Sequence, residues 1–387
     1  MLGVRNFQSP PALEASRAKI KRFAHNSAVL RNFNVRVWEQ SSAYCQYVFQ
    51  SRQGVERPTG FFVNTHFPVK AVAKDCASDN LSWETCWWDW KNSWKINYAV
   101  TGEGPPVILV HGFGASLGQF RKNIPAIAET GFRVYAVDLL GFGRSSKPVD
   151  LNFTMQVWCD QLSDFVREVV QPAHAGEGVV LVGNSIGSLA ALMANAALPE
   201  GTVRGTALLN CAAGMNNKAV QGDWRVRLAL PLFYLIDILL KSRLGRVIFE
   251  RVRQRESLRS ALRGVYATAE SVDDELVDLF HEPSCDEGAA EVFISIYTGN
   301  EAGPTPPEVV PLVRGPLLVL WGEEDRLTPR SGPVGRLFEA LPATRPGTDF
   351  VALPACGHCP HDDRPDLVHE KLLPWMKALP AAEQPAA

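Results

Sequence analysis

The stretch Val179–Gly187, Val-Val-Leu-Val-Gly-Asn-Ser-Ile-Gly, constrains the fold more than any other part of the chain. Four aliphatic residues read as a short buried strand. Gly-Asn-Ser-Ile-Gly then turns the chain into a helical pattern that begins Ser188-Leu-Ala-Ala-Leu-Met. G-x-S-x-G between a strand and a helix predicts a sharp turn with Ser185 at its tip, hydroxyl outward. Gly183 and Gly187 are required because strand and helix backbones approach too closely there for side chains. Asn184 and Ile186 flank the serine, and the helix N-terminus behind it favours negative charge developing nearby. A chance match to this pattern would make no demand on the rest of the chain. A nucleophile does: it needs a base, an acid that holds the base, and donors for an oxyanion.

The remainder of the sequence can be ordered around that turn. Strand-like runs occur at Val107–Val110, Phe132–Val137, Gly205–Leu209, Pro316–Leu320 and Phe350–Leu353, with helical patterns such as Trp158–Val170 and Leu189–Ala197 between most of them. Ahead of them, Trp88–Val100 alternates apolar and polar residues around a polar turn and reads as a β-hairpin. Near-continuous apolar strands alternating with helices predict an α/β fold, a mostly parallel eight-stranded sheet covered on both faces. Function in such sheets collects on loops at the carboxyl ends of the strands.

The expected organisation is a compact domain over 83–377, with a helical lid insertion at about 213–300. Within the lid, Leu228–Leu240 is strongly apolar, as either a lid helix or a buried core helix would be. Residues 1–38 hold seven Lys or Arg against the single acid Glu14 and lack a secretory apolar region, which reads as an organelle transit peptide. Residues 39–82 show no periodicity and read as a linker; residues 378–387 read as a frayed tail. A net charge of −2 with 21% charged residues gives no reason to expect nucleic acid as partner. No run of 18 apolar residues is present. The eight cysteines are scattered rather than spaced as a framework, which fits a reducing compartment.

The partners that Ser185 demands are found in order. After Pro316–Leu320 comes Trp-Gly-Glu-Glu-Asp, placing Asp325 in a loop at a strand's carboxyl end; its spacing favours it over Glu323 and Glu324. The alternative position, one strand earlier, falls near Asn210, which cannot serve as an anion. After Phe350–Leu353 comes Pro-Ala-Cys-Gly-His, placing His358 as the base. Val107–Val110 runs into His111-Gly112-Phe113-Gly114, so the backbone N–H groups of Phe113 and Ile186 are the expected oxyanion donors. His111 lies beside this turn and before the nucleophile; it reads as a brace, and Asp138 as a structural loop residue. Cys356-Gly-His-Cys359 has the C-x-x-C spacing of redox motifs but sits after the last strand. It reads as two incidental thiols, with a redox-regulated disulfide as the alternative. No metal or organic cofactor is called for.

With Ser185, Asp325, His358 and the Gly112–Gly114 turn in place, the chain from about Trp88 to Met376 resembles the α/β-hydrolase family. The motifs Trp88-Asp-Trp, His111-Gly-Phe-Gly-Ala-Ser, Arg133-Val-Tyr-Ala-Val-Asp-Leu-Leu-Gly-Phe-Gly and Gly357-His-Cys-Pro-His-Asp-Asp are similar to the plastid branch that contains chlorophyll dephytylase, with pheophytinase more distant. Ser188, where a third Gly is usual, and Arg326-Leu-Thr after the acid depart from that pattern. The resemblance implies a serine hydrolase acting on an apolar ester, the phytyl ester of chlorophyll, in the chloroplast, with peripheral contact to the thylakoid membrane. Its rivals are an esterase or lipase on another plastid lipid ester, an epoxide- or halide-directed enzyme (opposed by Ser185, where those carry Asp), and a hydrolase-fold receptor for a small molecule. Oligomeric state is not legible in the sequence.

Overall fold

The computed structural model describes residues 83–216, 234–299 and 303–380. The expected transit peptide (1–38), the linker (39–82), the first half of the Leu228–Leu240 run and the end of the tail lie outside them.

Eight strands form one sheet: β1 Glu84–Trp90, β2 Trp94–Thr101, β3 Pro106–Val110, β4 Arg133–Val137, β5 Val179–Asn184, β6 Val203–Leu209, β7 Leu317–Gly322 and β8 Thr348–Leu353. Their order is β1-β2-β4-β3-β5-β6-β7-β8. The β1–β2 hairpin and the β2–β4 pairing are antiparallel; every other pairing is parallel. The six strands read from apolar runs and the hairpin are all present. Their continuous apolarity has a direct cause, since alternate residues are buried on opposite faces. Ile108, Val110, Val179 and Leu181 enter one core cluster. Val107, Leu109, Val180 and Val182 enter the other.

The first face is covered by α2 Met155–Phe165 and α3 Ile186–Ala197, the second by α1 Ile124–Glu129 and α8 Pro365–Ala378. The tryptophans of the hairpin have a packing role. Trp88 and Trp90 both point inward and donate their indole N–H groups to Glu168 (3.1 Å) and Asp164 (3.0 Å), which bolts the hairpin to the α2 region. The turn between the strands places Lys91 and Asn92 at positive φ, as a tight hairpin requires. The C-terminal boundary lies beyond 377: α8 runs to Ala378, Leu379 is buried, and Arg204 donates to the carbonyls of Leu379 and Pro380.

Between β6 and β7 the described chain is helical. Residues 234–241 are helical and are followed by α4 Leu244–Val252, α5 Arg255–Val265, α6 Asp274–Ser284 and α7 Ala289–Thr298. In the part of the apolar run that is described, Ile238 and Leu239 are exposed while Leu240 is buried, so this stretch is not a core helix. Among the described residues, no helix is long and apolar enough to cross a membrane.

Candidate active site

The strand–turn–helix around Ser185 has the geometry that its glycines imply. Ser185 sits at φ 54°, ψ −119°, a left-handed backbone that a serine adopts only when its surroundings over-determine it. A Cβ at Gly183 would meet the Gly187 carbonyl oxygen at 2.4 Å, and one at Gly187 would meet the carbonyls of Val110 and His111 at 2.4 Å. No side chain fits at either position. Ser188, the departure from a third glycine, is accommodated because its hydroxyl donates to Gly183 O (2.6 Å) and accepts from Leu209 N–H (3.2 Å). Asn184 faces sideways, its amide donating to Leu209 O and His358 O, both 3.0 Å, and so ties the serine turn to the histidine loop.

Asp325 follows β7 and His358 follows β8, in neighbouring loops at the carboxyl ends of parallel strands. His358 Nδ1 lies 2.8 Å from Asp325 Oδ2. That carboxylate is saturated with donors. Oδ2 also accepts from Asn210 Nδ2 (2.7 Å) and the Thr328 hydroxyl (2.6 Å), and Oδ1 accepts from the N–H groups of Leu327 (2.8 Å) and Thr328 (3.0 Å). Burial alone would raise the Asp325 pKa. The hydrogen bond and charge of His358, with the donors from Thr328, outweigh it and hold the carboxyl below its usual range. Glu323 and Glu324, the competing acids, are exposed, and Glu323 pairs with Arg330 instead.

Asn210 belongs to this group of residues although sequence reasoning dismissed it. It follows β6 directly, at φ 47°, accepts from Gly322 N–H (3.0 Å) and donates to Asp325. Its position at the carboxyl end of the strand before the acid was the available signal. An amide there cannot be the anion but can orient one.

Ser185, His358, Gly112, Phe113, Gly114 and Asn184 all line one cavity of about 340 Å³. Gly112 lies against the serine: a Cβ there would meet Ser185 Cβ at 3.2 Å. Phe113 follows in that turn, and Ile186 opens α3 as the residue after the serine; N–H groups in a helix's first turn have no intrahelical partner. His111 does not line the cavity. It is fully buried, its Nε2 accepting from Leu139 N–H (3.0 Å) and its Nδ1–H donating to Gly112 O (2.7 Å). Burial lowers its pKa to about 4, so it is a neutral brace for the turn. Asp138 is likewise buried and accepts from Leu117 and Arg144 N–H groups, joining two loops. Away from the serine the cavity is apolar and aromatic. The β3 turn supplies Phe113, the loop after β4 supplies Phe142, and the helices between β6 and β7 supply Phe249, Leu262, Phe280 and Phe293.

Cys356 and Cys359 are free thiols, as are Cys159, Cys211 and Cys285, whereas Cys86 is disulfide-bonded, which departs from the reducing compartment that the scattered cysteines suggested. Cys356 packs in the core beneath the sheet and Cys359 in a separate cluster with Leu262 and Tyr266. Burial pushes both thiols up, away from the thiolate that disulfide exchange requires. Burial and separation into two clusters favour the incidental reading of this C-x-x-C over the redox one. Among the described residues there is no cluster of three or more His, Cys, Asp or Glu that could hold a metal.

The chain is 27% identical over 275 residues to the uncharacterized hydrolase YugF of Bacillus subtilis, covering 70% of this chain and 89% of that one. It is 24% identical over 330 residues to the chloroplastic pheophytinase of Arabidopsis thaliana, covering 75% of this chain and 66% of that one. Among solved structures, the serine hydrolase CarC of carbazole degradation superposes with a TM-score of 0.59 at 23% identity, over 76% of this chain and 99% of the other, a likeness of fold. Residues 107–371 match the model of the Alpha/beta hydrolase family. With the serine turn, the order Ser185–Asp325–His358 and the sheet topology on one side and that match on the other, the chain belongs to the alpha/beta hydrolase family.

Proposed function

We propose that the protein is a serine hydrolase that cleaves a carboxylic ester through an acyl-enzyme, with the phytyl ester of chlorophyll as its substrate. The observation that carries the reading is the placement of Ser185, at a strained turn, in the same cavity as a histidine whose Nδ1 is held by a deprotonated carboxylate. In this mechanism His358 takes the Ser185 proton while the oxygen attacks the ester carbonyl. The N–H groups of Phe113 and Ile186 receive the oxyanion, at a turn where the dipole of α3 adds to their effect. The same histidine protonates the departing alcohol, and water then releases the acid from Ser185. Asp325 keeps the imidazole in the tautomer with its lone pair at Nε2 and stabilises its charged form.

The choice of substrate class rests on the cavity. A volume of about 340 Å³ lined by Phe113, Phe142, Phe249, Phe280 and Phe293 suits an apolar chain. Pheophytinase among the relatives, together with the basic, acid-poor leader, supports a phytyl ester and a chloroplast location. The second reading is an esterase on another lipid ester, which the same cavity favours equally. The experiment is to incubate the full chain with chlorophyll a in detergent and score chlorophyllide by chromatography, with pheophytin a and p-nitrophenyl esters in parallel and Ser185→Ala as control. Chlorophyllide that vanishes in Ser185→Ala supports the first reading. Ester turnover without chlorophyllide moves the protein to the second, and no turnover of any substrate overturns both.

A further inference from the structure

Among the described residues, the exposed large hydrophobic side chains concentrate on one short stretch. Of the ten that are exposed among the described residues, seven fall between 234 and 252. Tyr234, Leu235 and Ile238 (67% exposed) crowd one side of the helical segment 234–241, while Leu240 turns inward. Leu244 and Val247 (63% exposed) do the same on α4, whose opposite side seats Phe249. A soluble protein gains nothing from a contiguous apolar face in water, so such a face marks a contact surface.

The charge of the stretch says what kind. Residues 234–255 carry six basic residues against two acidic ones, in a chain whose net charge is −2. Arg246, Arg253 and Arg255 are neutralised by Glu291, Glu250 and Asp278. Lys241, Arg243 and Arg251 are exposed and make no ion pair among the described residues. Apolar side chains with unpaired cations beside them match the two layers of a lipid surface, acyl chains beneath anionic headgroups. A second copy of the chain fits worse, because a symmetric contact would bring Lys241, Arg243 and Arg251 towards their own counterparts. The face borders the site: Val252, exposed on it, lines the cavity that holds Ser185, and Phe249 on the inner side of α4 lines it too.

We propose that the outward face of residues 234–252 docks on a lipid surface bearing anionic headgroups, with Ile238 and Val247 entering the acyl layer and Lys241, Arg243 and Arg251 meeting the phosphates. Docked this way, the mouth of the cavity opens at the interface, and an apolar substrate passes from lipid to Ser185 without crossing water. The inference stands on the surface alone and does not require the ester-hydrolase reading, so its test is made on Ser185→Ala protein, in which binding is read without turnover.

The test is co-sedimentation of the full chain with vesicles of phosphatidylcholine, with and without phosphatidylglycerol. Binding should be stronger with phosphatidylglycerol and should weaken with salt. Neutralising Lys241, Arg243 and Arg251 to Gln should weaken it by about fivefold for each charge removed, on phosphatidylglycerol vesicles only. Ile238→Glu with Val247→Glu should weaken binding to both vesicles by about tenfold or more. Both sites are exposed, so the circular dichroism spectrum and melting temperature should not change. Equal binding of wild type and all variants, or no binding to either vesicle, overturns the proposal. So does a dimer in solution that Ile238→Glu with Val247→Glu dissociates, since the face would then belong to a second copy.

Discussion

Asn210 is the residue whose role depends most on its neighbours. Its amide contacts the same oxygen, Asp325 Oδ2, that holds His358, so removing it takes one of the three donors from that oxygen. Hydrogen bonds to charged groups contribute about 1.5–3 kcal/mol. Asn210→Ala is therefore expected to lower kcat by about tenfold or more, with KM nearly unchanged, because the amide lies behind the acid and outside the cavity lining. Asn210→Asp tests the electrostatics. A second carboxylate in the place of a donor disfavours ionisation of Asp325, so the rise of kcat/KM with pH should move to higher pH. A pH–rate profile superimposable on wild type would show that Asn210 does not position the acid. Thr328, which also donates to Oδ2, should behave in the same direction as Thr328→Val.

At the scale of elements, the helices over the cavity are held in two different ways. The α5–α6 junction is clamped by the segment after His358. Asp363 accepts from Gly357, Ala267 and Thr268 N–H groups at 2.7, 2.8 and 3.0 Å, and His358 N–H donates to Val265 O at 2.8 Å. Arg121, in the loop that follows the oxyanion turn, forms a bidentate pair with Asp273 and reaches Glu275 and the buried Asp362. Tyr266 completes the junction, accepting from Gln119 and donating to Asp362. The histidine loop, the oxyanion loop and the covering helices thus share one polar network. Removing Asp363 leaves three N–H groups without their acceptor, two of them partly buried, so Asp363→Ala should cost about 3 kcal/mol or more. The melting temperature would record it, and amide exchange should quicken first at Val265–Thr268. Unchanged exchange there would mean that the clamp is not what holds the junction.

The whole molecule carries an acid sensitivity that can be calculated in sign. His111 and His361 are both fully buried, and burial lowers their pKa values to about 4 and about 3. The unfolded chain binds these protons near pH 6.5, the native chain only far lower, so the stability each contributes is complete above about pH 6.5 and declines as pH falls. Asp138 acts the other way, since burial raises its pKa to about 6 and the native state holds that proton more firmly. Two imidazoles outweigh one carboxyl, so the melting temperature should drop as pH is lowered from 6.5 to 4. His361 stacks on Phe120 at 4.4 Å with neither ring nitrogen hydrogen-bonded. His361→Leu should therefore flatten the acid limb without lowering stability at neutral pH. A variant as acid-labile as wild type would assign the transition to other groups.

Strand positions, the serine turn and the placement of Asp325 and His358 in loops after the last two strands were legible in the sequence because each is dictated locally. A strand buried on both faces must be apolar throughout, and a turn in which a Cβ would strike backbone at 2.4 Å must be glycine. The roles of His111 and Asp138 as braces were also legible, from their places beside strand ends. Other features depend on residues distant in the chain. Asn210 meets Asp325 across 115 positions and Tyr266 meets Asp362 across 96, so no spacing could reveal either. C-x-x-C reads as redox chemistry by spacing, yet the tertiary structure sends its two thiols into different clusters and buries both. Leu228–Leu240 could have been core or cover by composition alone; only packing decides that Ile238 faces outward while Leu240 faces in. Local sterics and periodicity are written in the chain, whereas hydrogen-bond partners and solvent exposure come into being only when distant segments meet.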